Sequence, residues 1–262
     1  MMIPLGQSLA VILSAMTLLW LTSLLRRDAS IVDPFWGTGF VLVASFVMEN
    51  SPHGQSSLRC WLVWSLVLIW GLRLSVHLFR RNIGHGEDRR YRAMRDYHGS
   101  RFWWVSFLTV FMLQGVILWF VALPVQVTIL GASSRPFGLL DGLGLLVWLV
   151  GFYFEAVGDY QLTRFLKDPN NAGRVMDQGL WKYTRHPNYF GDVCVWWGLY
   201  LISIRGGADW TILSPMLMTW LLLKVSGVTL LEKTVTTRRP EYADYIDRTS
   251  AFFPRPPRRP AA

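Results

Sequence analysis

The chain has 262 residues, of which 52% are hydrophobic and 16% charged, with 14 Trp and a formal net charge of +9. That composition excludes an ordinary soluble domain and points to repeated passage through a bilayer. The basic residues flank apolar runs and form no module of their own, so nucleic acid is excluded as a partner.

Seven runs approach the ~20 apolar residues that cross a bilayer: about 4–25, 31–49, 60–79, 102–123, 138–158, 188–204 and 210–231. The first lacks a basic leader and a small-residue cleavage site before Arg26, and is read as a retained span. The second opens on Asp33 and Pro34, a carboxylate at a membrane entrance. Asp33 there is either a helix cap or a functional acid. Residues 80–101 carry Gly84-His85-Gly86-Glu87-Asp88-Arg89-Arg90-Tyr91, read as a solvated, charged loop with turn-forming glycines. Gln114, His77 and the Trp residues of the spans read as packing or interface residues. Residues 124–137 read as a link on the outer side.

Glu155 and Asp159 lie four apart on one helix face, with Arg164 a little beyond. Carboxylates at this depth either do chemistry or pair with a cation such as Arg73 or Lys224 to fix packing. The sixth run is preceded by Lys182-Tyr183-Thr184-Arg185-His186-Pro187-Asn188-Tyr189 and carries Asp192 in its first turns. Lys182 and Arg185 suit phosphate, and Pro187 near a helix start favours anions at the helix terminus. The plain alternative is a headgroup-level anchor. After the seventh run come Glu232, Arg238, Tyr242 and Tyr245. The two tyrosines share a helix face that either folds back over a nucleotide or lies on the membrane. Pro254 to Ala262 reads as a disordered or extended basic tail.

Seven spans divide the Lys and Arg residues unevenly. Loops on one side hold 21 and those on the other hold three, while Arg73 and Lys224 fall within spans. This bias predicts a cytoplasmic C-terminus and an N-terminus outside. The expected fold is an all-α integral membrane protein with seven transmembrane helices, built as one polytopic domain over 1–262. Residues 151–250 would form most of any cofactor site. Cys60 and Cys194 are expected as free, buried thiols, and no His, Cys or acidic spacing predicts a metal. No glycine fingerprint for a dinucleotide fold is present.

The order Ser30-Ile31-Val32-Asp33-Pro34-Phe35-Trp36-Gly37, Trp70-Gly71-Leu72-Arg73, Gly86-Glu87-Asp88-Arg89-Arg90-Tyr91, Gly179 to Tyr189 and the Tyr242/Tyr245 tail resembles one family. The chain is similar over nearly its whole length to the steroid 5α-reductase-like membrane proteins (the DUF1295 group), as a bacterial member. The resemblance implies a seven-helix fold in a bacterial inner membrane, with NADPH held in a cavity open to the cytoplasm. It implies hydride transfer to C5 of a 3-oxo-Δ4-steroid or a similar apolar enone that enters from the bilayer, among membrane lipids. It places the cofactor phosphates among Arg174, Lys182, Arg185 and His186. Asp159, Asn188, Asp192, Tyr242 and Tyr245 would hold the ribose, adenine or nicotinamide. Glu155, Arg164, Asn171, Tyr183, Tyr189, Glu232 and Arg238 complete the implied cofactor set.

In the animal steroid reductases a Gln-Glu pair on the second span and a Tyr on the third hold the substrate carbonyl. The corresponding positions here are Val32-Asp33 and Trp70. Asp33 and Trp70 are therefore the implied catalytic positions, and this departure leaves the substrate open. Arg185-His186-Pro187 with Tyr189, Gly191 and Glu232 also resembles the isoprenylcysteine carboxyl and phospholipid methyltransferases, which use S-adenosylmethionine. A non-enzymatic lipid- or haem-handling protein is a third expectation.

Overall fold

The computed structural model of the chain describes residues 2–52, 54–131, 135–225 and 242–258. Among these, every regular element is helical. Five helices are long and apolar enough to cross a membrane: Met2–Arg26, Ala29–Glu49, Leu58–Asn82, Arg89–Val121 and Leu139–Lys167. Their large apolar side chains also face outward, with Leu18, Ile69, Val116 and Leu146 all exposed. An aqueous protein would bury such a surface, whereas a bilayer solvates it. The chain divides into two compact units, Met1–Phe137 with Ser203–Ser214 and Gly138–Ile202 with Pro215–Ala262.

In the first unit, α1 (Met2–Arg26) ends in a tight reversal. Arg27 takes a left-handed φ of 52°, and the Asp28 amide reaches back to the Ser23 carbonyl at 3.0 Å. That six-residue closure is a common way to satisfy a helix's last carbonyls. Asp28 then caps a short 3-10 turn, its carboxylate accepting the Ser30 amide at 2.9 Å. The reversal delivers the chain into α2 (Val32–Glu49).

Helix α2 packs on α3 (Leu58–Asn82) at a glycine crossing. A Cβ on Gly37 would stand 2.1 Å from the Gly71 carbonyl oxygen, so the backbones touch. Beside that point Ser75 Oγ accepts the Thr38 amide at 2.8 Å, and Trp70 meets Phe40 edge-on, with ring centres 5.5 Å apart. A polar helix, α4 (Arg89–His98), follows, capped by Asp88 and ended by Gly99 at φ 54°. The next span runs through α5 (Phe102–Ser106), a π-helical stretch (Phe107–Met112) and α6 (Leu113–Val121).

The expected outer link at 124–137 takes a different form. Its first half lies in α7 (Leu123–Leu130), whose residues 123–129 are all buried. Seven consecutive buried residues leave no solvated face, so the one long polar side chain must be satisfied internally. Gln126 Oε1 accepts Ser8 Oγ at 2.6 Å, and its Nε2 donates to the Trp119 carbonyl at 3.0 Å. A polar anchor of this kind is invisible to a reading that equates Pro, Gln and Thr with a loop.

In the second unit, α8 (Leu139–Lys167) packs on α9 (Pro187–Arg205) through spaced glycines. A Cβ on Gly151 would stand 2.5 Å from the Gly191 carbonyl, and one on Gly144 would stand 2.7 Å from that of Gly198. Small residues at such spacing let membrane helices approach closely. Then come α10 (Leu213–Trp220), a π-helical stretch (Leu221–Val225) and, after the residues left undescribed, α11 (Tyr242–Arg248). The expected seventh run, 210–231, thus falls partly outside the described residues, as do Glu232 and Arg238. Cys60 and Cys194 are free thiols, Cys60 buried as expected and Cys194 only half-buried.

Candidate functional site

Two polar clusters stand out, one in each unit. The first joins the start of α2 to α4. Asp33 is not a cap: α2 begins at Val32 without a side-chain cap, and Asp33 sits inside its first turn. Its two carboxylate oxygens accept Arg90 Nη2 at 2.6 Å and the Tyr91 hydroxyl at 2.7 Å. Gln114 Nε2 lies 3.4 Å from the same hydroxyl, and Gln114 Oε1 accepts the Trp36 indole N–H. An acid and an indole from α2, a phenol from α4 and an amide from α6 therefore form one continuous hydrogen-bonded group.

The segment expected as a solvated loop is what closes this group. Glu87 accepts the Ala29 amide at 2.9 Å and holds Arg95 through both oxygens, at 2.7 and 2.9 Å. Burial opposes ionisation of Glu87, but the Arg95 bonds and the Ala29 amide outweigh it and hold the carboxyl below its usual range. The Asp88 amide donates to Ser30 Oγ at 3.3 Å. Arg95 lies over the Phe102 ring, 4.4 Å from its centre. The loop is thus stitched to the 28–33 turn, and the stitching fixes where Tyr91 points. Trp70 is fully buried against Phe40 in the α2–α3 core, away from solvent.

The second cluster surrounds the end of α8. An open cleft of about 470 Å³ is lined by Tyr160, Gln161, Arg164, Phe165, Asp168, Asn171, Met176, Gln178 and Gly179. Its walls are built by backbone capping. Asn171 Nδ2 donates to the Phe165 carbonyl at 3.1 Å, Gln161 Oε1 accepts the Leu180 amide at 3.0 Å, and Gly179 turns at φ 59°. Arg164 and Asn171 are the two expected cofactor residues that line it. One guanidinium, three amides and two aromatic side chains suit a phosphorylated, ring-bearing ligand, while the Asp168 carboxylate on the same wall, which accepts the Asn170 amide at 2.9 Å, suits a hydroxyl donor and not a phosphate. Arg174, Lys182 and Tyr183 are exposed on the adjoining loop.

Other expected residues turn inward. Arg185 is 7% exposed and donates through Nη1 to the Ile246 carbonyl at 3.0 Å and to the Thr249 carbonyl. Cations at a helix C-terminus satisfy its last carbonyls, so Arg185 grips the end of α11. Tyr245 hydroxyl donates to the Trp181 carbonyl, and burial pushes its phenol above the usual range. Tyr242 and Tyr245 meet at 5.5 Å between ring centres. Arg248 pairs with Asp177 at 2.8 Å, the Thr184 hydroxyl donates to the Phe252 carbonyl at 2.8 Å, and the Arg255 amide donates to the Tyr183 carbonyl at 2.9 Å. Of the tail expected as disordered or extended over 254–262, the described part is a docked, non-helical strap as far as Arg258, whose amide donates to the Arg248 carbonyl at 2.9 Å. His186 stacks on Tyr189 with ring centres 5.5 Å apart. Asn188 Nδ2 donates to Asp159 at 3.1 Å, and Glu155 and Asp159 are both buried on α8. Asp192 is half-buried one turn further along α9.

Residues 19–249 match one protein family, described as "Protein of unknown function (DUF1295)". The chain belongs to the DUF1295 family. It is also similar to the uncharacterized protein C594.04c of the fission yeast Schizosaccharomyces pombe, with 27% identity over 90% of this chain and 76% of that one. No solved structure matches the chain. Sequence reasoning missed Arg90 and Tyr91 as partners of Asp33, and Gln114 as the partner of Tyr91. The signal was present, because the Glu87–Tyr91 segment recurs in the resemblance, but a run so rich in charge reads as solvated when taken alone. Gln161, Met176 and Gln178 carried no signal, since a cleft wall of amides and a thioether has no motif.

Arg185→Ala is expected to release the strap. Losing a charge-assisted bond to two buried carbonyls costs about 1.5–3 kcal/mol, so limited proteolysis within 242–258 should accelerate at least tenfold. An unchanged cleavage rate would contradict the anchoring role.

Proposed function

We propose that this DUF1295 chain is a membrane reductase that saturates the double bond of an apolar enone, such as a 3-oxo-Δ4-steroid, at the expense of NADPH. The observation that carries the proposal is the Asp33–Tyr91 pair, braced by Arg90 and Gln114, at the start of α2. Reduction of an enone needs a donor at the carbonyl oxygen, because negative charge develops there when the β-carbon accepts hydride. Tyr91 offers that donor, and its hydroxyl is exchanged from Asp33 to the substrate oxygen. Arg90 supplies a positive field across the developing enolate, and the α-carbon then takes a proton from water. Trp70 packs behind α2 and shapes the apolar wall.

Bound NADPH would supply the hydride. The cleft of the second unit fits part of such a ligand: Arg164 for a phosphate, Tyr160 and Phe165 for a ring face, and Gln161, Asn171 and Gln178 for hydroxyl or amide groups. Arg174 and Lys182 add exposed positive charge beside it. Arg185, Tyr242 and Tyr245 act on this reading by holding the loop in place. In the same proposal α9 and the chain from Leu213 onward complete seven spans. The 21-to-3 split of Lys and Arg supports a cytoplasmic C-terminus, on the side where NADPH is found. A bacterial inner membrane is the compartment the resemblance implies.

The test is titration of the detergent-purified protein with NADPH and with S-adenosylmethionine, followed by assay of progesterone- and testosterone-like enones. NADPH should bind preferentially and its oxidation should depend on the enone. Preference for S-adenosylmethionine would favour the methyltransferase instead.

A further inference from the structure

The first unit contains 13 arginines and no lysine. Nine of them fall in two segments, 26–33 and 80–101, beside five carboxylates. The fold brings these segments to one end of the unit through the Ala29–Glu87, Ser30–Asp88 and Asp33–Arg90 contacts. Asp33, Glu87 and Asp88 are occupied by Arg90 and Arg95, and Asp28 by Ser30. Arg26, Arg27, Arg80, Arg81, Arg89 and Arg92 remain exposed around them.

This collar follows directly on apolar surface. Leu25 is 88% exposed and precedes Arg26, and Phe79 is 59% exposed and precedes Arg80. Trp103 and Trp104 are exposed too, and the Trp20 indole donates to the Trp103 carbonyl at 2.9 Å. Tryptophans gather at headgroup depth, so the aromatic ring marks the boundary independently of the charges. A lipid presents an acyl tail and then a phosphate in this same order, whereas a soluble protein partner has no use for the flanking Leu and Phe. The exclusive use of arginine fits phosphate as well, because the planar guanidinium meets two oxygens at once and lysine meets one.

We propose that this arginine collar seats the phosphate groups of anionic phospholipids. The occupant is the lipid headgroup itself, with tails along α1 and α3. The inference rests on the membrane-embedded fold and is independent of the reductase reading.

The test is thermal unfolding of the full chain in neutral detergent supplemented with phosphatidylglycerol or phosphatidylcholine of the same acyl length. Phosphatidylglycerol alone should raise the midpoint by several degrees, and the rise should shrink when salt increases from ~0.1 to ~0.5 M. The triple variant Arg26→Gln/Arg80→Gln/Arg89→Gln should lose most of the rise, and the single variant Arg80→Gln part of it. Equal stabilisation by both lipids, the same rise with inorganic phosphate, or a full rise in the variants would overturn the proposal. The lipid and salt comparison on the unmodified chain decides the matter even where the triple variant does not fold.

Discussion

Replacing Tyr91 with Phe is expected to lower enone turnover by about 10²- to 10³-fold, the usual effect of removing one donor at a developing oxyanion. The change deletes a single oxygen. Tyr91 is 6% exposed and its ring stays in place, so the fold should tolerate it. NADPH affinity should stay near the parent value, because the cleft assigned to the cofactor is built from residues 160–179. Asp33→Asn should act in the same direction. The amide keeps the shape but loses the charge that Arg90 meets at 2.6 Å, and it offers Tyr91 a weaker acceptor. Steady-state kinetics beside a direct NADPH titration reads both quantities. Loss of binding in step with loss of turnover, or full activity in Tyr91→Phe, would remove this pair from the chemistry.

The largest effect on stability is expected at Gly37. Its added methyl would stand 2.1 Å from a backbone oxygen and 2.8 Å from Ser75 Oγ. A backbone atom cannot rotate away, so α2 and α3 must separate and the Thr38–Ser75 bond must break. Overpacking typically costs 1–3 kcal/mol and occasionally more. Gly37→Ala is expected at or above the top of that range, about 3 kcal/mol. Gly6→Ala supplies the contrast on α1, since nothing lies within 4 Å of the methyl it would add. It should leave stability unchanged or raise it by up to about 1 kcal/mol. Thermal unfolding in one detergent compares the three proteins, and equal midpoints for Gly37→Ala and the parent would refute the contact.

The helical membrane fold was legible because apolar length is a one-dimensional signal. Spans one, two and three appear within a few residues of the expected runs, the fourth is extended upstream to Arg89 by α4, and the fifth runs nine residues past its expected end, to Lys167. The run at 188–204 reads as a span by its apolar tail, yet α9 carries Asn188 and Asp192 at its start, and the run at 210–231 passes through α10 and the π-helical stretch before leaving the described residues. What sequence could not supply was pairing between distant segments. Asp33 looked like a lone acid, and Glu87 to Tyr91 looked like a solvated loop; each has its meaning only in contact with the other. Arg185 shows a second kind of ambiguity. A guanidinium beside a proline-initiated helix reads as an anion ligand, while its geometry is that of a clamp on the carbonyls closing α11. Charge, pattern and spacing do not distinguish those two uses of the same side chain.

The pairing of Asp33 with Arg90 also bears on how the protein is made. The two are separated by 57 residues along the chain. At ~5–20 residues per second, the ribosome adds Asp33 roughly 3 to 11 s before Arg90 exists. Throughout that interval the nascent second helix presents a carboxylate at its leading turn with neither guanidinium nor phenol to receive it. Until the Glu87–Tyr91 segment has emerged, insertion of α2 carries the cost of an unpartnered carboxylate at its leading turn. Biogenesis of this membrane protein is therefore paced by a partner two helices downstream.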